Sequence, residues 1–298
     1  MKTQNGFTLI EKISEIGPYL KKQHVTRKIT RLQVHHMDLP NYSTWEKTDK
    51  KVFSEPHFGR TKSLDDYGKG KWRYSDGHGH YIAQHFNVFP DGKITTGRNL
   101  NSTPIGIRGW NTNAICVEIY GDFDKGKDKM TDAQKKAVIA LYGELCKRFD
   151  ITPSNKTIRY HCWFTAGGTY LGKYDAGRSA KSCPGTNFFG GNSMAQFKAN
   201  FLPAVKKYIS TGSTDSKKEE PKKEEPSKKF KKYIARCTTN DLNCRKGPGV
   251  NYDIERQIDK GVAITIIEEK KLSDGSTWAK ALSGYWVNKK YLEFVRYA

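Results

Sequence analysis

The segment Lys181-Ser182-Cys183-Pro184 follows His161 in the chain, and a His35-His36 pair stands near its start. A thiolate and two imidazoles are ligands that zinc accepts. Three protein ligands, where a structural site uses four, leave a coordination position open for water, which is the arrangement of a catalytic centre. Lys181, two residues before the cysteine, adds a positive charge where the oxygen of a reacting carbonyl would develop its own. These residues suit metal-assisted hydrolysis.

The elements that must position them follow from periodicity. Residues 29–34 (ITRLQV) read as a strand with His35 and His36 at its end, and 158–163 as another strand, carrying His161. Adjacent strand residues point to opposite faces, so only one of His35 and His36 can face a metal, and Cys162 should point away if His161 points in. Periodicity does not choose between His35 and His36. Residues 81–97 read as two strands joined by a turn at Pro90-Asp91-Gly92, and 114–119 (AICVEI) as a central strand. Helical spacing covers 7–22, 131–149 (with Thr131 as N-cap) and 194–208. The alternation predicts an α/β domain with a central mixed sheet flanked by helices. Among the remaining histidines, His24 and His57 read as surface or core residues and His85 as packed inside a strand. His78 and His80 read as part of a glycine-rich loop.

Composition bounds the rest. The 298 residues suffice for two domains, and no apolar run approaches the roughly 20 residues that span a bilayer. The N-terminus has neither a continuous apolar stretch nor a small-residue cleavage site, so no signal peptide is expected; action outside a cell would then need release by another route, such as a holin-type lesion or lysis. A formal net charge of +21 implies attraction to polyanions. No zinc-finger spacing, RNP signature or phosphate-binding glycine loop accompanies it, so specific nucleic-acid binding is not expected; anionic wall polymers such as teichoic acids fit the charge as well. Six cysteines are too few for a disulfide scaffold, although Cys237 and Cys244 are close enough for a hairpin disulfide.

Residues 210–232 carry KKEEP twice in succession and almost nothing apolar, which predicts a solvated linker between a domain at 1–209 and a smaller one at 233–298. The latter reads as short strands and turns, punctuated by Gly247-Pro248-Gly249 and Asp274-Gly275, suited to a small all-β barrel.

The series VHHMD, QHFNVFPDGKITTGRNL, NAICVEIYGDFD, RYH and KSCPGTNF resembles the zinc-dependent N-acetylmuramoyl-L-alanine amidases of type 2, relatives of the peptidoglycan recognition proteins, over residues 25–205. The resemblance implies zinc held by His35, His161 and Cys183, with Lys181 and Glu118 catalytic, the latter as general base. Some relatives place a tyrosine immediately before the histidine of the second motif; Gln84 stands there and cannot serve as acid or base, which shifts that part onto Glu118. The implied substrate is bacterial cell-wall peptidoglycan, cut between N-acetylmuramic acid and L-alanine by an endolysin or autolysin. LNCRKGPGVNYDIERQIDKG and GYWVNKKYLEF resemble the bacterial SH3-like (SH3b) repeat, which implies a wall-binding module, with Tyr252, Trp278 and Tyr285 as candidate contacts. A non-catalytic peptidoglycan receptor, a nucleic-acid binder and a cysteine peptidase using Cys183 with His161 are the competing classes. The retained cysteine argues against the receptor, and sensitivity to chelation separates a zinc amidase from a thiol enzyme.

Overall fold

A computed structural model describes residues 1–212, 230–250, 252–272 and 275–298. The chain divides into two compact units, Met1–Ser216 and Lys217–Ala298. Most of the expected linker, 213–229, lies outside the described residues.

The first unit is built on strands β1 (Lys2–Gln4), β2 (Phe7–Ile10), β3 (Arg31–His36), β4 (Phe86–Val88), β5 (Ile94–Thr96), β6 (Ala114–Ile119) and β7 (Ile158–Tyr160). Their order is β1-β2-β5-β4-β6-β3-β7. Strands β4, β6, β3 and β7 run parallel, and β1, β2 and β5 join as antiparallel neighbours, which makes the sheet mixed. Two-residue alternation sorts its central faces. Leu32, Val34, Ile115, Val117, Ile119, Ile158 and Tyr160 are fully buried on one face, in the core shared with the Asp132–Arg148 helix. Gln33 and His35 of β3 stand in register with Cys116 and Glu118 of β6, and therefore belong to the opposite face. Apart from His36, the polar residues of β3 and β6 thus collect on the side away from that helix.

Three expectations change. Residues 7–22 are not one helix: Phe7 and Leu9 are buried at a strand's two-residue spacing in β2, a 3-10 turn follows at Ile13–Glu15, and only Ile16–Lys22 is helical. The signal for β2 was Asn5-Gly6, both at positive φ, closing a two-residue hairpin from β1. The strand expected over 158–163 ends at Tyr160, and His161–Trp163 forms a 3-10 turn. The Cys162 amide donates to the Cys183 carbonyl at 2.7 Å and the Trp163 indole to the Asn192 carbonyl at 2.8 Å, which draws this segment off the sheet. The last helix runs from Met194 to Thr211 and contains a π turn at Phe197–Phe201.

A further helix, Pro56–Lys71, carries no apolar stripe that periodicity could detect. Its buried face is largely polar: His57 pairs with Asp91 at 2.9 Å, Thr61 with Thr95 at 2.7 Å, and Asp65 accepts from the Ile82 amide at 2.9 Å. Elsewhere the expected pieces stand. Thr131 accepts from the Gln134 amide as N-cap, and the turn between β4 and β5 places Gly92 at φ +83°.

The second unit is an antiparallel seven-stranded sheet of β8 (Tyr233–Cys237), β9 (Leu242–Arg245), β10 (Ile254–Ile258), β11 (Ala263–Lys271), β12 (Thr277–Ala281), β13 (Trp286–Asn288) and β14 (Leu292–Tyr297). Of the three aromatics named as candidate wall contacts, Trp278 and Tyr285 are buried in the core and Tyr252 is exposed; Phe230, Phe294 and Tyr297 are exposed as well. Cys237 and Cys244 are free, as are the other four cysteines, and no hairpin disulfide forms. No helix among the described residues is long and apolar enough to cross a membrane.

Candidate metal centre

The parallel strands β3 and β6 lie side by side in register, so His35 and Glu118 are direct neighbours near their C-terminal ends. The end of β7 delivers His161 beside them: the His35 and His161 rings lie 4.8 Å apart at 65°. Cys183 arrives from the 3-10 turn's other partner, the loop whose carbonyl holds the Cys162 amide. His35, His161 and Cys183 each bring one ligand atom into a cluster whose atoms lie within 4.8 Å of one another, a possible metal-binding group.

The structure separates the adjacent histidines, with His35 in the cluster. His36 lies on the other face, where its Nδ1 accepts from the Phe123 amide at 3.1 Å. Its main-chain N–H reaches the Cys183 sulfur at 3.4 Å, a donor able to stabilise a thiolate. Around that sulfur the loop is tied down: Ser182 donates to Asp124 at 2.8 Å, and Asn192 donates to the Ser182 carbonyl at 2.7 Å. Gly185 (φ +110°) passes so close that a Cβ there would meet the Phe123 carbonyl at 2.4 Å. Cys162 is buried away from the cluster, its sulfur 3.8 Å from the Asn192 carbonyl.

Electrostatics suit a cation. Burial lowers His161 to about 4, with the Lys181 charge acting in the same direction. His35 falls well below its usual range, by burial first and then by its neighbours His161 and Lys181. Both rings are thus neutral at physiological pH, the form a metal binds. Burial pushes the Cys183 thiol well up, with Glu118 adding to it; a coordinated dication would reverse that by taking the thiolate. Glu118 is pushed up to about 8 by desolvation, against the lowering influence of Lys181, and its Oε1 lies 3.8 Å from His35 Nδ1.

All five residues singled out in the sequence line one cavity of about 340 Å³, with Gln84, Met37, Ile105 and Gly106 also in its wall. Exposed Leu39, Tyr67 and Trp72 form its rim, the latter two from the Pro56–Lys71 helix and its C-cap. Gln84 is buried and donates to Asn87, so it faces the site without offering a titrating group. His24, His78, His80 and His85 border a separate cavity of about 370 Å³. Gln33 went unremarked in the sequence: fully buried, its Oε1 stands 3.2 Å from His35 Nε2. Its place two residues before His35, hence on the same strand face, was the available signal.

The family model described as N-acetylmuramoyl-L-alanine amidase, of amidase type 2, matches residues 25–186. Among solved structures, the N-acetylmuramoyl-L-alanine amidase LysC from Clostridium intestinale URNW is similar at 21% identity and TM-score 0.35, over 56% of this chain and 84% of that one. Peptidoglycan recognition protein-1 of Manduca sexta is similar at 17% identity and TM-score 0.40, over 59% and 88%. Drosophila PGRP-LB is similar at 16% identity and TM-score 0.38, over 59% and 84%. No curated protein matches the chain.

Proposed function

Because this chain belongs to the type 2 N-acetylmuramoyl-L-alanine amidase family, we propose that it is a peptidoglycan hydrolase of the endolysin or autolysin kind, cutting the amide between N-acetylmuramic acid and L-alanine. The observation that carries this reading is the convergence of His35, His161 and Cys183 beside Glu118 and Lys181 in one cavity. Two neutral imidazoles and a buried cysteine are a donor set that zinc takes, with a position left for water. Bound there, zinc would bring the pKa of a water toward about 7 and polarise the scissile carbonyl.

The chain's own groups supply the rest. Glu118, beside His35, takes the proton of the attacking water and passes it to the leaving amine, which requires its carboxylate form and hence a neighbouring positive charge to offset the desolvation that raises its pKa. Lys181 sets its charge toward the oxygen that becomes anionic, an interaction whose loss typically costs about 10²–10³ in rate. Gln84 lines the wall without exchanging protons. For the second unit we propose an SH3b-like wall-binding role, supported by its all-β sheet and its exposed Tyr252, Phe294 and Tyr297. The net charge of +21 would draw the protein to anionic wall polymers.

Purified walls digested with the full chain should release new L-alanine N-termini without new reducing sugar ends, and EDTA should stop the reaction. Binding to walls with no new termini would favour a receptor over an enzyme. Cys183→Ser should lose both stoichiometric zinc and lysis, whereas Glu118→Gln should keep zinc and lose most turnover. Near-normal turnover in Glu118→Gln would place the base elsewhere.

A further inference from the structure

The amide of Gln33 uses every hydrogen-bonding position it has. Its Oε1 faces His35 Nε2 at 3.2 Å and accepts from the Ile107 amide at 3.2 Å. Its Nε2 donates to the Trp110 carbonyl at 3.0 Å and to Asn111 Oδ1 at 2.9 Å. Asn111 is fixed in turn, since the same Oδ1 accepts from the Gly106 amide at 3.0 Å. The fit is close enough that a Cβ on Gly106 would lie 1.9 Å from Gln33 Oε1. Rotating the Gln33 amide by half a turn would set its NH2 against the Ile107 N–H and its oxygen against two acceptors. Its orientation is therefore determined, and the atom facing His35 is an acceptor.

An acceptor at that point requires a proton on His35 Nε2. The neutral ring carries one proton, so Nδ1 keeps its lone pair, on the side where Glu118 lies 3.8 Å away. We propose that Gln33 is a positioning residue: it fixes His35 as the Nε2–H tautomer and so aims Nδ1 at the metal. The inference rests on the reading of His35, His161 and Cys183 as a zinc site. Partners of this kind orient a ligating imidazole and raise its basicity, and their loss typically costs about 10–100-fold in metal affinity.

Zinc affinity of the full chain, measured by competition with a chromophoric chelator, tests this with two substitutions. Gln33→Leu removes the acceptor and should weaken binding about 10–100-fold. Gln33→Glu keeps an acceptor toward His35 while losing both donated bonds, and should bind within a few-fold of the wild type or more tightly. Both substitutions disturb the Trp110–Asn111 network, so a purely structural role would weaken both alike, and that result would overturn the proposal. Long-range ¹H–¹⁵N correlation spectra of the zinc-loaded wild type need no variant: the His35 proton should sit on Nε2, and a proton on Nδ1 would also overturn it. A wild type that binds no zinc sinks the metal reading itself and this proposal with it. A zinc-binding wild type with unaffected Gln33→Leu sinks this proposal alone.

Discussion

His85 is held between two main-chain groups of opposite polarity: its Nδ1 accepts from the Cys116 amide at 3.0 Å, and its Nε2 faces the Ser102 carbonyl at 3.0 Å. Only the neutral Nε2–H ring satisfies both. Burial, with the nearby Arg27 charge, lowers its pKa to about 3. The unfolded chain takes up this proton near the ordinary value of 6.5, so between pH 6.5 and 3 it binds a proton that the folded chain refuses. Stability therefore falls on acidification through that window, by about 1.4 kcal/mol per pH unit from this group. His85→Asn, which keeps an acceptor for Cys116, should show a shallower loss of denaturation free energy between pH 6 and pH 4; an unchanged slope would refute this account. At the same scale, the possible metal-binding group brings together three side chains that share no sequence neighbourhood, and the His36 amide donates to the Cys183 sulfur.

The Pro56–Lys71 helix is where local preference and packing disagree most openly. Replacing glycine by alanine in a helix gains up to about 1 kcal/mol from propensity. At Gly70, where a Cβ would meet nothing within 4 Å, that gain should be realised. At Gly68 the same Cβ would lie 2.2 Å from the Tyr81 carbonyl, and forcing the helix away from a packed backbone costs about 1–3 kcal/mol. Packing should win there. Thermal denaturation should find Gly70→Ala more stable than wild type and Gly68→Ala less stable, and equal midpoints would contradict the close approach. Because this helix also carries Tyr67 and leads into Trp72, Gly68→Ala should disturb the cavity rim as well. The Asp132–Arg148 helix is simpler. Its Thr131 cap should be worth about 1 kcal/mol, measurable in Thr131→Ala by urea denaturation.

At the scale of the molecule, two separate cores imply separable tasks. The first unit buries the sheet and its helices around Leu141, Tyr142, Phe197 and Phe201; the second closes around Ala235, Ile266, Ala279 and Val287. Deleting residues 230–298 should leave zinc binding and the cutting of soluble wall fragments intact while reducing pelleting with whole walls. Tethering acts by raising local substrate concentration, so the deficit should be largest on dilute, insoluble substrate. Undiminished pelleting would remove the wall-binding role from the second unit.

The residue types of the possible metal-binding group, the strand alternation and the Thr131 cap were legible in the sequence, because each is set by chemistry or by spacing within a few residues. The same reasoning misread 7–22, where an apolar run with mixed spacing hid the Asn5-Gly6 hairpin signal, and it passed over the Pro56–Lys71 helix, whose buried face is polar. Spacing left His35 and His36 undivided, so that only the resemblance pointed to His35, and it did not see Gln33. Those points needed the tertiary structure, since each depends on a partner distant in the chain: the Phe123 amide that occupies His36, the Asn192 carbonyl that pulls His161–Trp163 out of strand, the Ile107 and Asn111 groups that orient Gln33. The chemistry of the side chains marks out which residues are candidate metal ligands; the pairing of β3 with β7, the turn after β7 and the bond that ties the Cys183 loop to that turn bring them together, because convergence is a property of segments joined from far apart in the chain.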